Sequence, residues 1–266
     1  MRISDIVFPR RCAGCRDGPW PFCDGCRAEL LALEPPWCER CGRPLAVSAP
    51  ACRDCPDQPL TSARAAFRFE GPARSAIHRL KYAGWQDVGP ALARAMATVT
   101  PPPGARDTRA LTWVPLARAR LAARGYDQAR VLARGLGREI DLPATRLLRR
   151  TVSTGPQARR SGAERRAALR GAFVASGPSP PVVLLVDDVL TTGATAAACA
   201  RALMGAGARE VHLIAAARAF RGPLRSTSAG RPMTGRAERR VPPAEGRAYT
   251  RAGSRPGLWL PEDLPR

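Results

Sequence analysis

The chain has 266 residues, 45% of them hydrophobic, with 43 lysines and arginines against 22 acids for a formal net charge of +21. That length holds one core-forming domain with small appendages, and the charge excludes basic partners in favour of anionic ones, a nucleic acid or a polyphosphate substrate. No segment reaches the length of a membrane span, and residues 1–11 hold no apolar run long enough for a signal peptide, so a reducing, cytoplasmic location is expected.

Residues 1–60 read as a zinc-binding module. Eight of the nine cysteines form four C-x-x-C pairs there, Cys12/Cys15, Cys23/Cys26, Cys38/Cys41 and Cys52/Cys55, separated by seven, eleven and ten residues. Each pair sets two thiolates on one tight turn, and two pairs complete a tetrahedral zinc site, so eight ligands make two zincs. Four thiolates leave no open coordination position, so both ions are expected to be structural. The spacing allows sequential pairing (12/15 with 23/26, 38/41 with 52/55) or an interleaved one. Apolar residues show no period here, and metal must supply much of the folding free energy. Trp20, Phe22 and Trp37 lie among the cysteines, either as the module's small core or as platforms for bases of a single strand.

Residues 61–221 read as a second domain. Its expected elements are a strand at 65–69, a helix at 73–82 presenting Ile77, Leu80 and Lys81 near its end, and a helix at 88–99 broken by Pro101-Pro102-Pro103-Gly104. A strand at 110–115 follows, and then residues 118–128 lead into a helix running to about Leu136. Lys81 is the one lysine in the chain. Where every other basic position accepts arginine, a retained lysine suggests that a compact ammonium is needed. Residues 146–170 hold eight arginines against one acid, Glu164, with Gly and Ser interspersed, which suggests a mobile basic lid.

Residues 182–186, Val-Val-Leu-Leu-Val, have no polar break and read as a strand buried on both faces in the middle of a parallel sheet. Asp187 and Asp188 follow, then Thr191-Thr192-Gly193-Ala194-Thr195 and an Ala-rich helix to about Met204. Backbone N–H groups and the positive helix end would converge on that turn, a setting suited to phosphate. In an open α/β sheet, ligands also bind at the C-terminal ends of strands. No G-x-x-x-x-G-K-[ST] occurs, and Gly135-Leu136-Gly137 and Gly205-Ala206-Gly207 lack a third glycine and follow helices, so neither a P-loop nor a dinucleotide site is expected.

A last strand is expected at 210–217, so strands alternate with helices and the class is α/β with a parallel sheet. His78 and His212, the only histidines, are assigned structural roles, and Cys199 an inert buried one. Residues 222–266 carry Pro, Gly, Ser and Arg without apolar period, and are expected to be a disordered basic tail.

The segment at 182–195 resembles the phosphoribosyl pyrophosphate (PRPP) signature of type I phosphoribosyltransferases. By that resemblance Asp187 and Asp188 accept hydrogen bonds from the ribose 2- and 3-hydroxyls, and Thr191, Thr192, Gly193, Ala194 and Thr195 wrap the 5-phosphate. Mg2+ would accompany PRPP, and Lys81 with arginines of residues 146–170 would neutralise the pyrophosphate. The cysteine module together with His78-Arg79-Leu80-Lys81-Tyr82, Val114-Pro115-Leu116, Arg124-Gly125-Tyr126-Asp127-Gln128, and Arg149 with Gln157 and Arg165, resembles the ComF family of competence-associated proteins over residues 10–218. Asp127 stands where that family usually has Asn, and Arg160 and Ala168 where it usually has Leu and Asn. The resemblance implies a type I phosphoribosyltransferase-like sheet, PRPP binding with Mg2+, and handling of internalised single-stranded DNA alongside other competence proteins. The alternative is a phosphoribosyltransferase acting on an unidentified acceptor in nucleotide metabolism.

Overall fold

In the computed structural model, which describes residues 10–53, 55, 58–99, 110–151 and 171–220, four parallel strands lie in the order β1 (Ser62–Arg68), β6 (Glu210–Arg218), β5 (Val182–Leu190) and β2 (Ala110–Trp113). The expected α/β class with a parallel sheet holds. β5 is an interior strand: Leu184 pairs with His212 on one side and Leu111 on the other. Its apolar run divides between the faces by strict alternation, Leu184 and Val186 to one, Val183 and Leu185 to the other. Complete burial of one such side chain contributes about 2 kcal/mol.

The first face is covered by α2 (Gly71–Tyr82), α3 (Val88–Thr98) and α5 (Gln128–Glu139). Ile77, Leu80, Leu92, Met96, Leu132 and Leu136 pack there at no more than 1% exposure. The second face is covered by α6 (Ala194–Gly205), through Cys199 and Leu203, and by an antiparallel ribbon of β3 (Leu148–Arg150) and β4 (Phe173–Ala175). The glycines at 135 and 137 have a packing role: a Cβ on Gly135 would stand 2.7 Å from Ala93 Cβ, and one on Gly137 would stand 2.5 Å from the Leu142 carbonyl. They let α5 approach α3 and the chain after it.

Three features depart from the expected elements. β5 runs two residues past the acid pair expected at its C-terminal end, to Leu190, because its backbone stays paired with β6 as far as Arg218. The stretch from Arg118 that leads into α5 is itself partly a helix, α4 (Arg118–Arg124), which Gly125 ends with a left-handed φ of 76° before Asp127 caps α5. The β3–β4 ribbon gave no signal, its three-residue strands being too short to show alternation.

The cysteine-bearing segment folds against the same core. It includes a one-turn helix α1 (Asp24–Ala28), and Phe22, Leu30 and Trp37 belong to the cluster that holds α2 and α3. Residues 31–33 run beside the free edge of β1, the Leu33 N–H donating to the Ala66 carbonyl at 2.9 Å and the Arg68 N–H to the Leu31 carbonyl at 2.8 Å. They satisfy edge groups that would otherwise need water or a partner.

These elements fall in one compact unit spanning Met1–Leu224; a second, Arg225–Arg266, lies outside the described residues, as does the expected tail. Residues 152–170 of the expected lid, with Gln157, Arg160, Arg165 and Ala168, lie outside them too. Among the described residues no helix is long and apolar enough to cross a membrane.

Candidate functional site

The C-terminal half of β5 carries Asp187 and Asp188, both half-buried. Asp187 Oδ1 accepts the Asp188 N–H at 2.8 Å. Burial, and next the negative charge of Asp188, push the Asp187 carboxyl up to about 8. Lys81, at the end of α2, places Nζ 2.8 Å from Asp188 Oδ1, with 21% and 14% of the two side chains exposed. Helix α2 thus delivers the single lysine to the acid pair across the sheet top, while Ile77 and Leu80 hold its inner face in the core.

Beyond Leu190 the chain turns at Thr191 and Thr192, both exposed, and enters α6 through Gly193. Gly193 has φ 75° and ψ 0°, a left-handed conformation that suits glycine. A Cβ there would also lie 2.4 Å from Oε1 of Gln58. No side chain caps α6, so amides of its first turn point outward from a positive helix end. Among the described residues, the Thr192 hydroxyl accepts the Ala194 N–H at 3.4 Å. Thr191 to Thr195 therefore form a small open turn one residue pair away from the carboxylates.

A third carboxylate stands close by. Asp127 accepts N–H bonds from Leu116 at 2.9 Å, Ala129 at 3.1 Å and Arg130 at 3.3 Å, tying the β2 exit to the start of α5. Burial nonetheless raises its pKa, the three donors opposing the shift and Asp188 adding to it. Next to it Arg124 donates to the buried Gln128 Oε1 at 2.9 Å, and the Tyr126 hydroxyl donates to the Leu80 carbonyl, the residue before Lys81. The Arg124-to-Gln128 stretch acts as a brace that fixes the end of α2 against the sheet. Arg149 lies exposed on β3.

The eight paired cysteines gather as two groups, Cys12/Cys15/Cys23/Cys26 and Cys38/Cys41/Cys52/Cys55, with the sulfurs of each group within 4.8 Å of one another. The pairing is sequential. Sulfur pairs at 3.7 Å (Cys15, Cys23), 3.9 Å (Cys38, Cys55) and 3.6 Å (Cys41, Cys52) match the ~3.8 Å edge of a tetrahedron with ~2.3 Å zinc–sulfur bonds. Amides point at the sulfurs: Cys12 Sγ accepts from Gly14 and Cys23, each at 3.3 Å, and Cys38 Sγ from Cys52 at 3.1 Å. Against the upward push of burial, such donors bring Cys12 down to about 6 and Cys38 to about 7. The two groups fit two structural zincs, which would be held by thiolate alone.

Arginines bind the second group to the sheet. Arg64, on β1 and 2% exposed, donates to the Glu39 carbonyl at 2.8 Å and to Glu39 Oε2 at 2.6 Å, with its guanidinium 4.8 Å from the Trp37 ring centre. Arg218 donates to the Cys41 carbonyl, and Arg40 to the Gln58 carbonyl at 3.0 Å. Gln58 then lies against Gly193, linking the cysteine module to the turn after the acid pair. No sequence pattern marks Gln58. Only the tertiary contact gives it meaning.

Both histidines are placed structurally. His212 lies at the start of β6, 2.9 Å from Ser62 Oγ and 3.1 Å from Glu210 Oε2, and burial lowers its pKa. His78 is exposed on α2 beside Tyr82, with ring centres 4.6 Å apart. Cys199 is fully buried, which pushes its thiol up.

Comparison with known proteins adds to this geometry. A family model described as a double zinc ribbon domain matches residues 3–56. Competence protein F of Haemophilus influenzae is 30% identical over 232 residues, 80% of this chain and 98% of that protein. DNA utilization protein YhgH of Escherichia coli K12 is 28% identical over 222 residues, 78% of this chain and 96% of that one. Competence protein ComFC of Bacillus subtilis is 28% identical over 193 residues, 70% and 78% of the two chains. Among solved structures, the glutamine PRPP amidotransferase of B. subtilis, complexed with ADP and GMP, is 22% identical over 49% of this chain and 26% of its own, with a TM-score of 0.35. A likeness that slight adds nothing to the site. On the 30% identity to Competence protein F over 80% of this chain and 98% of that protein, the chain belongs to the ComF family.

Proposed function

We propose that this chain binds PRPP with Mg2+ at the C-terminal end of β5 and serves, in the cytoplasm, the handling of internalised single-stranded DNA during natural transformation. The observation that carries the ligand is the meeting of Asp187 and Asp188 with an uncapped helix start on one continuous strand, turn and helix. Two carboxylates suit a diol, and first-turn amides suit a phosphate, at the separation a sugar phosphate spans. The nucleic-acid arm is supported by the names of the relatives, Competence protein F and DNA utilization protein YhgH, and by the net charge of +21.

Each residue then has a task. Asp187 and Asp188 would accept the ribose hydroxyls, and residues 191–195 would hold the 5-phosphate. Mg2+, a hard cation that prefers oxygen ligands, would be held with PRPP beside the carboxylates of Asp187 and Asp188 and would offset phosphate charge when bound. Lys81, held at Asp188 at 2.8 Å, would keep an ammonium beside the sugar and release it towards the pyrophosphate. Loss of the proton favoured by the raised Asp187 carboxyl would give the ribose diol a full carboxylate acceptor there.

Transfer is a second reading, favoured by Lys81 itself, because a cation beside the ribose stabilises a departing pyrophosphate. In that reaction an acceptor nucleophile bonds to C1 of the ribose as the C1–O bond to pyrophosphate breaks, and the acceptor's proton goes to solvent.

The two arms separate in one set of titrations. Oligonucleotide binding is expected to weaken with salt and to survive Asp187→Asn. PRPP binding is expected to require Mg2+ and to be lost in that variant. PRPP binding that ignores both Mg2+ and the variant would remove the acid pair from the account.

A further inference from the structure

A cleft of about 570 Å3 opens between the first cysteine group and the loop after α2, away from the acid pair's own turn. Two tryptophans stand in it, Trp20 and Trp85, both half-buried, with ring centres 6.3 Å apart and planes inclined at 57°. Phe22 and Trp37, at 6% and 7% exposure, are core residues by contrast. Trp20 and Trp85 thus keep part of their indole surface open to the cleft, where Phe22 and Trp37 bury theirs.

The surroundings are basic and held in place. The Arg79 guanidinium lies 5.5 Å from the Trp85 ring centre and donates to the carbonyls of Ala13 and Gly14, so Trp85 is fixed to the first cysteine loop. Arg10 lies 5.8 Å from the Trp20 ring centre and bridges Asp87 at 3.4 Å. Arg11 and Arg16, both exposed, complete the wall, with Asp17 as the second acid. Arg16 is held at φ 77°, a left-handed conformation that a side chain rarely adopts.

We infer that this cleft receives a base of single-stranded nucleic acid, stacked on Trp20 or Trp85, with adjoining backbone phosphates on Arg11 and Arg16. The chemistry is a flat apolar ring bordered by cations. Every base offers a face to an indole, and arginine contacts phosphate without reading sequence. A duplex would not fit this arrangement, because its bases are stacked on each other. The inference rests on the DNA arm of the proposed function and gives it a location distinct from the acid pair. Trp85 lies in the loop that leaves the helix carrying Lys81, so the strand site and the candidate PRPP site flank one element.

The test uses the full-length, zinc-loaded chain and fluorescein-labelled dT15, read by anisotropy at low salt. Trp85→Leu and the pair Arg11→Ser, Arg16→Ser are each expected to weaken binding about tenfold or more, with two zincs per chain retained. The charge-matched pair Arg138→Ser, Arg201→Ser, exposed on α5 and α6, is expected to change it less than threefold. A 5-iododeoxyuridine substitution in the oligonucleotide is expected to photo-crosslink to Trp20 or Trp85. Equal losses in the two arginine pairs with none in Trp85→Leu, or cross-links confined to other residues, would overturn the site alone. Failure of the wild type to bind dT15 would overturn the DNA arm as well, while leaving PRPP binding to its own titration. Displacement of dT15 by dTMP at equal nucleotide concentration would overturn the strand in favour of a free nucleotide.

Discussion

Gln58 and Gly193 touch: the side-chain oxygen of the first occupies the space a Cβ on the second would need, at 2.4 Å. One residue follows the last cysteine of the second cluster and the other begins the helix after the acid pair. The cysteine module therefore forms part of the wall behind the candidate phosphate turn.

Gly193→Ala is expected to fail on two counts, the positive φ and the contact with Gln58. The backbone alone costs about 1–2 kcal/mol, and urea denaturation should show at least that loss together with weakened PRPP binding. In a Gln58→Ala background the same substitution should recover part of the stability, since the contact is relieved and the φ is not. Full recovery would mean that φ 75° is not a constraint at this position.

Metal removal should be felt beyond the cysteines. Phe22, Leu30 and Trp37 share a core with α2 and α3, and Arg64 and Arg218 lean on carbonyls of the second cluster. Chelation of the two zincs is expected to lower the melting temperature of the whole unit by roughly 10 °C or more, in one transition. A separate early transition with the sheet unaffected would show that the shared core contributes little.

Asp187 gives a pH signature. Its carboxyl rises from an ordinary 3.8 to about 8, so the folded chain holds a proton that the unfolded chain releases. Stability from that proton is fully present below about pH 4 and is lost as pH climbs to about 8. Asp187→Asn, which keeps the bond from the Asp188 N–H, is therefore expected to gain on the wild type across that window, by about 1–3 kcal/mol at pH 8. Denaturation of both proteins between pH 5 and 8.5 checks the sign. A constant difference would mean that Asp187 ionises freely. PRPP binding should likewise release a proton near pH 7, visible as a heat that changes with the buffer.

Asp127 stands where the family usually has Asn, and both of its oxygens are in use. Oδ1 takes the Ala129 and Arg130 amides and Oδ2 the Leu116 amide. Asn would turn an N–H2 towards Leu116. Asp127→Asn is expected to cost about 1–2 kcal/mol through that orphaned donor, offset in part because a charge near Asp188 is removed. An unchanged or higher stability would show that repulsion among the carboxylates outweighs the cap.

Much of this was legible in the sequence because the signals are local. The unbroken apolar run of residues 182–186 fixes an interior strand, four C-x-x-C pairs fix two metal-sized clusters, and the retained Lys81 proved to meet Asp188. Other parts depend on distant residues. Nothing near Gln58 announces Gly193, Trp85 becomes notable only beside Trp20, and the two short strands at 148–150 and 173–175 pair across intervening chain. The alternative roles of Trp20, Phe22 and Trp37 were separable only by burial, which leaves Trp20 half-open and the other two in the core.

The central claim is that Asp187 and Asp188 form a live PRPP site. Calorimetric titration of PRPP with Mg2+ into the zinc-loaded chain, beside the double variant Asp187→Asn, Asp188→Asn, tests it most directly. The account predicts micromolar binding that needs Mg2+ and falls at least a hundredfold in the variant. No heat from the wild type, or equal affinity in the two proteins, would contradict it.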